Sequence, residues 1–145
     1  MSPALTLAAV SGTAPAVDAV RLSLHVLAAT VWVGGQIVMM GLVGPARRLG
    51  GDAPKVLARA FARLAWPAFV VLVATGIWNV AAVGYSAQDS AWKAVLMAKI
   101  VVVALAGLGA YLHQRATTKA QLALWGSVGG TASVAALVMG ILLAG

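Results

Sequence analysis

Two ionisable side chains, His25 and Lys99, stand inside stretches that are otherwise apolar. A charged side chain at mid-membrane costs about 2.5 to 3.5 kcal/mol on insertion scales, so such positions invite a functional explanation. Asn79, Trp32, Met97 and Met139 fall in the same kind of apolar surroundings. Imidazole and thioether together make a soft to borderline donor set suited to Cu(I), and an imidazole is also an axial ligand for haem iron. In a copper pocket His25, with Met97 or Met139, would supply the ligands, and Lys99 and Asn79 would tune or close it. In a haem site Lys99 would contact a propionate or act as a second ligand. Plainer roles stay open for each residue: His25 as a bond between helices, Lys99 snorkelling along its stem, the methionines as packing, and Trp32 as core.

Other chemistry has little to stand on. The three acids, Asp18, Asp52 and Asp89, fall in expected loops or at helix rims, so no carboxylate within a span is available as a general base or proton carrier. The chain has no GxSxG, HExxH or phosphate-loop pattern. It also has no cysteine, which excludes disulfides, iron–sulfur clusters and thiolate metal sites. If the protein is an enzyme, the residues leave it the chemistry of a haem-dependent membrane oxidoreductase; a binding or transport role needs fewer assumptions.

The elements that position these residues follow from composition. Hydrophobic residues make up 62% of the 145 and charged residues 9%, against about 25% charged in an average soluble domain. A spanning helix needs about 20 apolar residues to cross about 30 Å of hydrocarbon. The hydropathy pattern predicts an all-α integral membrane four-helix bundle, with helices over 20–43, 54–84, 91–115 and 119–144, within a domain of residues 18–145. Residues 1–17 are expected to be a loose N-terminal segment rather than a signal peptide, since no basic region precedes a long apolar run. Gly44 and Pro45 are expected to stop the first helix and Pro54 to open the second. Pro67 is expected to bend the second helix near the start of its span. Its opening turns are amphipathic and predicted to sit at the membrane surface, with Lys55, Arg59 and Arg63 on one face and Val56, Leu57, Ala60, Phe61 and Leu64 turned away.

The net charge of +7 is spread over helix ends and short loops, not gathered into a patch interleaved with aromatics, which argues against nucleic acid as a partner. Arg47, Arg48, Lys55, Arg59 and Arg63 follow the first span, and Arg115 and Lys119 lie between the third and fourth. The positive-inside rule puts both groups in the cytoplasm and both termini outside. His25 and Lys99 then lie at one depth, roughly 9 to 10 Å below the outer boundary. Trp32, Gln36 and Met39 continue the angular stripe that starts at His25. His113 falls at the cytoplasmic boundary, roughly 20 Å from the depth of His25, so the two histidines of one chain are not expected to share a haem. Gly34 and Gly35 in the first helix, Gly107 and Gly109 in the third, and the GxxxG pair Gly126 and Gly130 in the fourth predict close contacts, either within the monomer or at a homodimer or complex interface.

At these residues the chain resembles a known family. The stretches LHVLAATVWVGGQ, RLAWPAFVVLVATGIWN and WKAVLMAKIVVVALAGLGAYLHQR are similar to the copper-resistance D (CopD) domain and its relatives, over about residues 20–144. The matching positions are His25, Trp32, Gly34 and Gly35, then Thr75, Gly76 and Asn79, then Lys99 and Arg115. The resemblance implies a bacterial inner-membrane protein of copper uptake or handling. The same His and Lys arrangement resembles, more weakly, the HemJ-type protoporphyrinogen oxidases, which would imply haem b on the first-helix histidine and oxidation of a porphyrin precursor. A non-catalytic subunit of a membrane complex is the third expectation.

Overall fold

The computed structural model describes residues 15–144, and the expectations for residues 1–14 and for Gly145 lie outside them. Four helices account for nearly all of that length: α1 (Ala16–Leu49), α2 (Ala53–Val83), α3 (Ser90–Arg115) and α4 (Lys119–Ala144). All four are long and apolar enough to cross a membrane. The protein is an all-α, multi-pass membrane bundle.

The two ends of α1 differ from the sequence expectation. The helix begins at Ala16, two residues inside the segment expected to be loose, where the Ala19 amide bonds to the Pro15 carbonyl at 3.0 Å. It also runs through Gly44 and Pro45 to Leu49. A proline inside a helix removes one backbone hydrogen bond, and here packing offsets that loss, because the segment lies along α2 with Ala46 buried. Gly50 and Gly51 then adopt positive φ of 76° and 55°, which only glycine takes at low cost, and the chain reverses. Pro54 opens α2 in its first turn as expected, and the helix continues through Pro67 for 31 residues.

Capping fixes the remaining boundaries. Gly84 ends α2 in the left-handed conformation. A short 3-10 turn, Tyr85–Ala87, leads to Asp89, whose carboxylate accepts the Trp92 amide at 2.7 Å and starts α3. Thr118 and Gln121 form a reciprocal capping box at α4: the Thr118 hydroxyl accepts the Gln121 amide, and the Gln121 side chain accepts the Thr118 amide.

α1 packs along α2, and α3 along α4. The two pairs meet at the middle of α1, where Thr30–Gly34 forms a π-helical turn that touches both α2 and α4. Small residues dominate the interior. Ala28, Ala46, Ala65, Ala106, Gly109, Gly129 and Ser133 are buried, while Met40, Ile77, Ile141 and Leu142 are each more than 60% exposed. Lipid exerts no hydrophobic drive to hide such side chains, so the helices close through small residues and leave the large ones to the acyl chains. The tightest approach is between α3 and α4: a methyl added to Gly109 would stand 2.7 Å from the Gly129 nitrogen. Gly109, expected from the sequence to allow a close approach, does so with Gly129 as its partner; of the GxxxG pair, Gly126 faces the His113 ring and Gly130 has open space around it.

Candidate ligand site around His25

One end of the bundle carries both described termini and the 84–89 loop; the opposite, basic end carries the 50–52 and 116–118 turns. The polar side chains of interest lie in the half nearer the termini. Asp18, Arg21 and His25 recur on one face of α1 at helical spacing, and α2 answers with Asn79 and Thr75.

Arg21 is buried, although the sequence places it at a rim. Its guanidinium donates to the Asn79 side-chain oxygen and to the Asp18 carboxylate at 2.8 Å, while its Nε has no partner among the described residues. Asn79 is therefore held by Arg21. The trace of this in the sequence is the i, i+3 pair of opposite charges, Asp18 and Arg21, just before His25.

One turn deeper, His25 Nδ1 lies 2.8 Å from Thr75 Oγ1. The Thr75 hydroxyl donates its own proton to the Val71 carbonyl at 2.7 Å, with Leu72 as a longer second acceptor. A hydroxyl has one proton, so with Thr75 donating to Val71 the His25 contact is donated by Nδ1–H and Nε2 keeps its lone pair; in the opposite tautomer Thr75 would donate to Nδ1 instead. The edge of the His25 ring lies across α2 at Gly76, where a Cβ would meet Cε1 at 3.6 Å. Thr75, Gly76 and Asn79, three positions of one sequence pattern, thus all engage the same face of α1.

Lys99 is half-buried on α3 and extends to α4: a methyl on Gly140 would come within 3.1 Å of its Nζ. No carboxylate balances it among the described residues. Asp18 pairs with Arg21, Asp52 pairs with Lys55, and Asp89 caps α3.

The other candidates divide. Met139 is half-buried on α4, next to the Gly140 that Lys99 touches. Met97 is 48% exposed on the surface of α3 and takes no part in the His25–Thr75 contact. Trp32 is buried and forms core below the site. Its indole donates to Ser133 on α4 at 3.0 Å and packs against Phe69 and Trp66, with ring centroids 4.4 and 5.7 Å away. Gln36 also donates to Ser133, at 3.2 Å. The stripe expected from His25 through Trp32 and Gln36 is therefore split between α2 and α4. The π turn explains this, since i→i+5 bonding takes up an extra residue and turns the helix face by about 100°. At the basic end, His113 donates from Nδ1 to the Leu122 carbonyl at 2.9 Å and is exposed, in keeping with its expected boundary position.

Among the described residues no three His, Cys, Asp or Glu side chains converge as a metal cage. His25 Nε2 is the one candidate donor atom placed by a defined contact of its ring, and no contact among the described residues joins Met139 or Met97 to it. The apolar grooves along α1, one lined by Leu22, Ser23, Val26, Leu27 and Thr30 and one shared with α2 at Ala68 and Val71, do not include His25. A porphyrin would have to approach His25 from elsewhere. No family model, curated protein or solved structure matches the chain.

Proposed function

We propose that this membrane protein binds copper through Nε2 of His25, in the half of the bundle nearer the termini, and handles the ion at the outer face of a bacterial inner membrane. The observation that carries this reading is the hydrogen-bonded contact of His25 Nδ1 with Thr75, whose hydroxyl also lies against the Val71 carbonyl. Histidines that bind metals donate their other ring proton to an acceptor, which fixes the tautomer and the ring orientation. Thr75 is placed to be that acceptor. Met139 supplies a soft donor on the facing pair of helices. Lys99, at the same depth by helix counting, disfavours highly charged cations, which suits monovalent copper held loosely enough to be passed on. The likeness of His25, Trp32, Thr75, Gly76, Asn79 and Lys99 to the copper-resistance D pattern supports the same reading.

The test is a Cu(I) titration of purified protein against a chromophoric chelator. Wild type is expected to compete for about one equivalent and His25→Ala to lose that competition. Unchanged binding by His25→Ala would sink the assignment.

A second reading, haem b on His25 Nε2, is favoured by one observation: Lys99 has no carboxylate partner among the described residues, and a propionate would provide one. In that case His25 orients the iron ligand and Lys99 anchors the acid. An absorption spectrum after expression with adequate haem separates the two readings, because only the second produces a Soret band lost in His25→Ala.

A further inference from the structure

At the basic end of the bundle the α1–α2 hairpin carries Arg47, Arg48, Lys55, Arg59 and Arg63. Trp66 of α2 donates to Gln114, one residue before the end of α3, at 3.2 Å, and Phe69 lies against Gly107 of α3. The opening of α2, from Ala53 to about Ala60, therefore reaches roughly 10 Å past the end of α3. It is held by α1, which continues through Pro45 and packs along it with Ala46 buried.

Three faces of this opening part of α2 are distinct. Leu57 and Phe61 are half-buried, and Phe61 lies so close to Gly35 of α1 that an added methyl would overlap its ring. Lys55, Arg59 and Arg63 form an exposed stripe at four-residue spacing, and Arg47 and Arg48 of α1 are exposed near the turn. Between these faces runs a second exposed stripe, Val56, Ala60 and Leu64, with Val56 55% and Leu64 67% exposed. Val56, Ala60 and Leu64 belong to the apolar side expected from the sequence, and a step of about 100° per residue turns them away from the packed Leu57 and Phe61. Asp52 is the only acid here, and it pairs with Lys55.

We infer that this hairpin is a docking surface for anionic phospholipid, with phosphate groups against Lys55, Arg59 and Arg63 and acyl carbons along Val56, Ala60 and Leu64. Parallel cationic and apolar stripes fit an amphiphile whose charge and chain are joined, and each basic residue near a membrane surface contributes to attraction by acidic headgroups. The surface is also continuous with the lipid-facing sides of both helices. It is independent of any ligand at His25.

The experiment reconstitutes the purified chain in phosphatidylcholine nanodiscs with increasing phosphatidylglycerol and counts retained phosphatidylglycerol by native mass spectrometry. Removing two charges as R59Q/R63Q is expected to weaken its retention about tenfold or more. R115Q/K119Q, the same charge change at the other basic turn, should leave retention within about twofold. Melting in pure phosphatidylcholine checks that both variants stay folded. Equal losses in the two variants would reduce the effect to net charge and overturn the inference, as would unchanged retention in R59Q/R63Q. Saturation of the surface by inorganic phosphate alone, abolishing lipid retention, would overturn the commitment to lipid.

Discussion

At the scale of single residues, the protein's chemistry turns on where one proton goes. His25 was visible in the sequence as an ionisable residue in an apolar run, and Lys99 could be brought to its level by counting helical rises. The partner that gives the ring its direction was not visible, because Thr75 lies 50 residues away and its hydroxyl could have pointed elsewhere. Replacing Thr75 with valine keeps the side-chain shape and removes the acceptor. It is expected to weaken Cu(I) binding by about 10 to 100-fold in the chelator competition, while Thr75→Ser retains most of the affinity. If Thr75→Val binds as well as wild type, the orientation of the ring does not depend on this bond. Arg21 teaches a related lesson. Its charge balance with Asp18 was legible, but its burial was not, since burial required knowing that Asn79 of α2 stands opposite.

At the scale of elements, the boundaries set by turn chemistry were the easiest to foresee. Pro54 in a first turn and the apolar length of α3 and α4 were enough to place those helices within a residue or so. The end of α1 was misjudged because the local cost of Pro45 is smaller than the packing of its last turns onto α2. In the contact between α3 and α4, Gly109 was among the glycines expected to allow close approach, but its partner Gly129 was not. GxxxG is a pattern on one helix, whereas close approach depends on which residue the partner presents. Gly109→Ala is therefore expected to destabilise the bundle by about 1 to 3 kcal/mol, as forced overpacking does. Gly130→Ala, with open space around it, should be close to neutral. Thermal melting of both variants in one detergent tests the pair, and the opposite ranking would contradict this crossing.

At the scale of the whole molecule, the membrane character was the most legible property, since so few charges and so many large apolar residues leave no other solvent. The sidedness can be measured directly. The chain has no cysteine, so single cysteines introduced at Ser86 and at Gly51 report without background. A membrane-impermeant maleimide added to intact cells is expected to label the first position, and the second only after permeabilisation. The reverse pattern would invert the proposed orientation. The π turn in α1 bears on the architecture as a whole, because it is the place where one helix changes the neighbour it serves. Removing a single residue from Thr30–Gly34 would leave hydropathy and span length almost untouched and would turn the π turn into regular α-helix, with the two flanks kept in nearly the phase they have now, because the turn already absorbs one extra residue. His25 would still face Thr75 and Gln36 would still face Ser133. A one-residue deletion elsewhere between His25 and Gln36 has no bulge to absorb it locally, so the loss of one residue is expected to be tolerated best within this turn.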